Sequence, residues 1–116
     1  MKLEGEQGLL RIHLSNFVRW HGLPLYEALV GRAHRQRLSG ATVLTGMAGY
    51  FGSGPLLGEH PFALQVERPV VIEIVEREEA LENFLDGAAH MLEGHPVLVT
   101  LERAHVVHYR GGSQPA

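Results

Sequence analysis

The strongest strand signal in the chain is the stretch PVVIEIV at residues 69–75. Valine and isoleucine favour a pleated strand, because their branched side chains pack well on its surface. One alternating face of this stretch is entirely apolar, and the other carries Glu73 between two valines. A strand that is apolar on both faces is normally covered on both. We therefore expect a central strand, with the second face of its sheet covered by another subunit.

An amphipathic helix and a further strand follow the central strand. Residues 77–80 place two glutamates in a first helical turn, where the helix dipole favours them. Apolar side chains then recur at i, i+3, i+4, i+7 and i+11, namely Leu81, Phe84, Leu85, Ala88 and Leu92. The next strand is predicted over 97–101, with 104–109 as its continuation or as a short extra strand.

A similar set of elements precedes the central strand. Alternation around Leu10, Ile12 and Leu14 predicts a strand over 8–15. Pro24 and apolar residues at helical spacing predict a helix over 24–38, and 41–48 is predicted as the second strand. Residues 49–61 then hold four glycines and two prolines, which predicts an exposed, mobile loop of a kind that is often functional.

The order β-α-β, loop, β-α-β indicates an α+β fold, a ferredoxin-like βαββαβ sandwich. Such a fold has an antiparallel sheet with two helices on one face. The 116 residues fit one domain, which we assign to 1–110, with 111–116 as a disordered tail.

Composition argues against several classes of function. A net charge of −3 gives no sign of a nucleic-acid-binding surface. The chain has no cysteine, which excludes disulfides and thiolate chemistry. No apolar run approaches the roughly 20 residues that a membrane span needs, and the polar start lacks the core of a signal peptide. We expect a cytoplasmic protein without membrane insertion and, because no catalytic constellation is recognisable, not an enzyme.

Histidines and arginines offer alternative binding chemistry. There are eight histidines, and His13 and His105 could converge across neighbouring strands as weak metal candidates. The absence of any HxH pair favours scattered surface histidines instead. Arg32, Arg35 and Arg37 suit the C-terminal end of the first helix. Binding of an anion at a subunit cleft is the alternative interpretation of these arginines.

The chain as a whole resembles the family known as domain of unknown function 190. The resemblance covers about residues 2–108 and rests on the segments 2–7, 10–12, 24–29, 40–44, 46–49, 69–75 and 99–102. It implies membership of the PII-like superfamily, alongside nitrogen-regulatory PII proteins and CutA-type proteins. It therefore implies a homotrimer of ferredoxin-like subunits with small-ligand sites in the clefts between them.

The resemblance also implies particular ligand-binding residues. Since PII proteins bind adenine nucleotides, Gly40 and Thr42 would contact a nucleotide-like ligand, and Gly49 and Gly52 would let the backbone approach it closely. Independently of the resemblance, the position of Glu73 on an apolar strand means that it could meet an arginine or a ligand, or point to solvent at the sheet edge. The 49–65 loop would engage a regulated protein partner.

One feature of the sequence bears on the nature of that ligand, and one alternative function remains open. Where PII proteins hold phosphates with a basic loop after the second helix, residues 93–96 here carry no lysine or arginine. The alternative function is that of a CutA-like trimer that binds a divalent metal.

Overall fold

The central strand predicted from the sequence lies inside a four-stranded sheet. The protein is represented by a computed structural model that describes residues 3–58 and 66–112. Its elements are β1 (Gly5–Ser15), β2 (Arg19–Trp20), β3 (Leu23–Pro24), α1 (Leu25–Arg35), β4 (Thr42–Thr45), β5 (Pro69–Glu76), α2 (Glu78–Leu92) and β6 (Leu98–Val106).

The order of strands across the sheet is β4-β5-β1-β6, and every neighbouring pair is antiparallel. Two β-α-β units interlock in this order, because β5 lies between β1 and β4, and β1 lies between β5 and β6. This is the strand order of the ferredoxin-like split βαβ fold. The fold class predicted from the sequence is therefore confirmed.

The core lies between one face of the sheet and the two helices. Alternate residues of β1 and β5 are buried there, and the helices cover them with the apolar stripes expected from their spacing. The buried cluster consists of Leu10, Ile12, Leu14, Leu25, Leu29, Ala33, Val70, Ile72, Ile74, Leu81, Phe84, Ala88 and Met91.

The opposite face of the sheet, called the open face below, has no helix over it in the described residues. Register places Leu9, Arg11 and His13 of β1 on this face, opposite Val75, Glu73 and Val71 of β5. Several large apolar side chains, such as Leu44 and Leu98, are about half-exposed. The central strand is therefore apolar on both faces, as predicted, except that the charged side chain of Glu73 lies at the middle of the open face.

Element boundaries differ from the predictions in several places, beginning with β1, which starts at Gly5 rather than at residue 8. The first helix is shorter, at Leu25–Arg35, because Arg37 adopts a left-handed φ of 58° that ends it. The second strand is only Thr42–Thr45, and β6 is one continuous strand to Val106. A small hairpin of β2 and β3, not predicted, fills the connection before α1. Of the predicted disordered tail, 113–116 lie outside the described residues.

Candidate functional site

A cleft of about 470 Å³ lies at one end of the open face. The start of β4, the ends of β5 and β6, and the start of β1 all meet at this end. The residues that line it are Leu3, Leu9, Ser39, Gly40, Ala41, Thr42, Glu73, Val75, Val106, His108 and Tyr109. The cleft therefore brings together Gly40, Thr42 and Glu73, three of the five residues predicted to bind a ligand.

A buried carboxylate holds the backbone at the floor of the cleft. Glu76 is only 1% exposed, and its Oε1 accepts a hydrogen bond from the backbone N–H of Ser39 at 2.8 Å. Its Oε2 accepts another from the N–H of Arg77 at 2.8 Å. The Ser39 hydroxyl donates to the carbonyl of Val75. Because these bonds leave Ser39 little freedom, they fix the backbone on which Gly40 and Thr42 are carried.

The chain after β6 forms one wall of the cleft. The Tyr109 hydroxyl donates a hydrogen bond of 2.7 Å to the carbonyl oxygen of Ser39. This bond joins the C-terminal segment to the start of β4, although β4 and β6 are opposite edges of the sheet. The end of the chain therefore crosses the end of the sheet and closes that side of the cleft.

Glu73 also belongs to an ion cluster on the open face. Arg11 Nε lies 2.8 Å from Glu73 Oε2, and Arg11 Nη1 bonds the carboxylate of Glu102. The hydrogen bond that Arg11 donates to Glu73 is the chief reason that the pKa of the Arg11 guanidinium is raised, with the charges of Glu102 and Glu73 adding to it. Both Arg11 and Glu73 are about one-third exposed. Of the two roles predicted for Glu73, the arginine contact is present.

Gly49 and Gly52 lie away from the cleft. Gly49 exchanges two backbone hydrogen bonds with Leu57, at 3.0 and 2.7 Å, beyond the opposite end of β4. Gly52 has a φ of 53°, a conformation that suits glycine. The described part of the loop is largely exposed, except that Leu57 and Gly58 are buried, contrary to the prediction for the whole segment. Residues 59–65 of the predicted 49–65 loop lie outside the described residues.

His13 and His105 do not converge within one chain, so that hypothesis is wrong. His13 pairs with Leu98, whereas His105 pairs with Glu6. At roughly 3.4 Å per residue, the two register positions are about 24 Å apart. His105 Nδ1 instead contacts Glu6 Oε1 at 3.0 Å. In residues 3–58 and 66–112, no group of three or more potential metal-ligating side chains comes together.

Sequence reasoning missed Ser39, Glu76 and Tyr109. Glu76 ends the apolar central strand, and an acidic residue at that position is unusual enough to have indicated a buried hydrogen-bonding role. Ser39 precedes Gly40 in a short connection, where hydroxyl side chains often bond the backbone. Tyr109 carries no local signal, because its partner lies 70 residues away in the chain.

A split βαβ sheet with both helices on one face and a cleft at the end of the other face defines a PII-like ferredoxin-fold protein. The fold is shared with a solved structure of CPII, a nitrogen regulatory PII-like protein from Thiomonas intermedia K12, bound to ADP, AMP and bicarbonate. The two agree with a TM-score of 0.69 at 19% identity, over 89% of this chain and 90% of that protein.

The family follows from sequence comparison. The model of the DUF190 family, described as uncharacterized ACR, COG1993, matches residues 7–106. A UPF0166 protein of Aquifex aeolicus is 37% identical over 86% of this chain and 92% of its own length. UPF0166 protein MJ1524 of Methanocaldococcus jannaschii is 29% identical over 89% of this chain and 92% of its own length. The chain belongs to the DUF190 family, as the sequence resemblance predicted, and it shares its fold with nitrogen regulatory PII-like proteins such as CPII.

Proposed function

We propose that this protein is a PII-like, non-enzymatic sensor that binds a small adenine-nucleotide-like ligand in the cleft. The observation that carries the proposal is the meeting of Gly40, Thr42 and Glu73 in one cleft of about 470 Å³. That volume is within the usual range for small-ligand sites. The lining combines apolar side chains with a hydroxyl, a carboxylate and open backbone at Gly40, a mixture that suits a base and a sugar. The presence of ADP and AMP in CPII supports the choice of ligand class.

The complete site would be built from more than one copy of the chain, in a homotrimer. Gly40, Thr42 and Glu73 lie at one end of β4, while Gly49 and Gly52 lie beyond its other end. A single chain therefore does not bring the five residues together, whereas neighbouring copies in a ring could. The half-exposed apolar residues of the open face also favour association, because a monomer would leave them in water. A sedimentation mass of three chains is expected, and a monomeric mass would contradict this part of the proposal.

The glycine-rich loop would contact a regulated protein partner, and ligand binding would alter that contact. Its described part exposes Tyr50 at 67% and Leu56 at 74%, and Met47, two residues before the loop, is 71% exposed. Exposed apolar groups clustered on one loop are typical of an interaction surface. The loop is joined directly to β4, whose other end forms the cleft. Ligand binding at one end of β4 could therefore change the order of the loop at the other end.

The experiment is a titration of the purified protein with ADP, AMP and adenosine, followed by calorimetry and thermal unfolding. A ligand that prefers the native protein must raise its unfolding temperature. We expect at least one adenine compound to do so. Thr42→Val should weaken that ligand about tenfold, since it removes a hydroxyl worth about 1 kcal/mol while keeping the shape of the side chain.

Thr45→Val is the matched control. Thr45 is exposed on the same strand, but its register partner is Val70, so it faces away from the cleft. We expect Thr45→Val to bind the ligand like the unmodified protein. Equal weakening by both substitutions would place the ligand elsewhere. The absence of any effect of adenine compounds on the unfolding temperature would refute the nucleotide-sensor function.

A further inference from the structure

A second groove, of about 800 Å³, adjoins the cleft and carries basic side chains. We propose that this groove binds the diphosphate group of the ligand, an inference that rests on the proposed function. The groove and the cleft share Ser39, Gly40 and Tyr109, so they are contiguous around the Tyr109 side chain. The groove is lined by His34, Arg35, Arg37, Leu38, Ser39, Gly40, Tyr109, Gly111 and Gly112.

The two adjoining spaces differ in charge. Among the described residues that line the cleft, the one fully charged side chain is the carboxylate of Glu73, which is already bonded to Arg11. The groove instead offers two guanidinium groups, from Arg35 and Arg37, in a protein whose net charge is −3. Guanidinium groups bind phosphate with strong, often bidentate, hydrogen bonds. A ligand with a neutral end and an anionic end would therefore be oriented across Tyr109.

The conformation of Arg37 is a second, independent observation. Arg37 has a φ of 58°, in the left-handed region where glycine is the usual residue at a helix end. Its N–H bonds the carbonyl of His34 at 3.0 Å, and the next N–H, of Leu38, bonds the carbonyl of Ala33 at 3.1 Å. Glycine would make the same two bonds without strain. The attraction between an arginine and the helix dipole is of similar size to that strain, so helix stability alone does not favour arginine here.

The end of α1 is compatible with an anion, although a helix C-terminus carries partial negative charge. The carbonyl oxygens of Arg32, Ala33 and His34 already accept N–H groups of the terminating turn, at 2.9–3.1 Å. Arg35 and Arg37 are both exposed, and neither takes part in an ion pair with another described residue. Their charges are therefore not neutralised by the carboxylates placed in the structure.

Arg32, the third arginine of this segment, has a different role. It lies against Gly87 of α2, where an added Cβ would meet its guanidinium, and its Nε is buried without a partner among the described residues. Arg32 is not part of the groove lining. The arginines grouped in the sequence thus separate into one packed between the helices and two facing the groove. Arg35 and Arg37 would supply the positive charge for phosphate that residues 93–96 of this chain do not carry.

The test uses Arg37→Gly, which removes the charge while supplying the residue that best suits a left-handed turn. We expect the unfolding temperature without ligand to change little, because the relief of strain and the lost attraction to the helix dipole are of similar size. The affinity for ADP should fall at least about tenfold, the loss of one charge-assisted hydrogen bond. Arg35→Gln should weaken ADP binding similarly. Arg103→Gln is the control, because it makes the same change of charge on the exposed edge strand β6, outside both spaces.

Inorganic pyrophosphate and adenosine separate the two proposals. Weaker ADP binding in Arg37→Gly and Arg35→Gln, with adenosine binding unchanged, supports the groove as the diphosphate site. Unchanged ADP binding in both variants overturns the groove and leaves the cleft proposal standing. If no adenine compound binds but pyrophosphate does, and Arg37→Gly abolishes it, the groove is supported as an anion site while the nucleotide-sensor function fails. Equal losses in Arg103→Gln overturn the groove, because only the overall charge would then matter.

Discussion

The two ends of β4 are held in different ways. At its start, Ser39 is fixed by the buried carboxylate of Glu76 and by the hydroxyl of Tyr109. Beyond its end, Gly46 donates one backbone hydrogen bond of 2.7 Å to Pro69, and Gly49 forms a single bridge with Leu57. No side chain of residues 46–58 makes a hydrogen bond to another described residue.

This difference suits a protein that binds a ligand at one end of β4 and changes the conformation of the loop at the other end. Buried side-chain hydrogen bonds fix the backbone at the end of β4 where a ligand would bind. Little further ordering of the protein is therefore needed on binding. A loop without such side-chain hydrogen bonds among its described residues can change its conformation at lower cost. Because both ends belong to one short strand, the fixed end and the adaptable end are separated by only Thr42–Thr45. Substitutions at each end can test whether the contrast is real.

The largest effect is expected for Glu76→Ala. It would leave the N–H groups of Ser39 and Arg77 without their buried acceptor, at a cost of about 2–4 kcal/mol in the free energy of unfolding. That is a large share of the stability of a domain of this size. Urea unfolding, monitored by circular dichroism, measures it.

Glu82→Ala on the exposed side of α2 is the control for Glu76→Ala, and it should change the unfolding free energy by less than about 0.5 kcal/mol. If Glu76→Ala were equally mild, the start of β4 would not depend on the carboxylate. The contrast between the two ends would then be lost.

Two glycines sharpen the comparison with a smaller effect. An added Cβ at Gly46 would lie 2.8 Å from Pro69 Cγ and 3.3 Å from the Pro69 carbonyl oxygen, so Gly46→Ala should destabilise the protein by about 1–3 kcal/mol. A Cβ at Gly40 meets nothing within 4 Å, so Gly40→Ala should leave the unfolding free energy unchanged. It should lower the affinity for the nucleotide, because Gly40 lines the cleft. Thermal unfolding with and without ADP measures both. The opposite ranking of the two variants in stability would mean that Gly40, rather than Gly46, is the tightly packed position.

The sequence predicted the fold well because the fold rests on local signals. Alternation around Leu10 and Ile72, and the helical stripe from Leu81, are repeated patterns that one face of a sheet or helix imposes. The resemblance also indicated Gly40 and Thr42, and the charge of Glu73 on an apolar strand indicated that residue; the fold brings the three together. The convergence of His13 and His105 was wrong because strand register depends on pairing across the sheet, which residue spacing does not reveal.

The walls of the cleft were not predictable for a related reason. Ser39, Glu76 and Tyr109 are joined by contacts between residues 36–70 positions apart in the chain. Nothing local distinguishes Tyr109 from an exposed tyrosine such as Tyr50. Long-range polar contacts of this kind depend on the packed structure, so composition and periodicity do not predict them.

The smallest effect is expected for Tyr109→Phe, which tests the closing contact of the fixed end. The ring would stay, but Ser39 would lose the hydrogen bond that its carbonyl oxygen accepts at 2.7 Å, a loss of about 1 kcal/mol in unfolding free energy. Because Tyr109 lines both the cleft and the groove, we also expect the affinity for ADP to fall several-fold, measured by calorimetry. Tyr50→Phe, on the exposed loop, should leave the unfolding free energy unchanged. A Tyr109→Phe protein with unaltered stability and affinity would mean that Glu76 alone fixes the start of β4, and that the end of the chain only covers it.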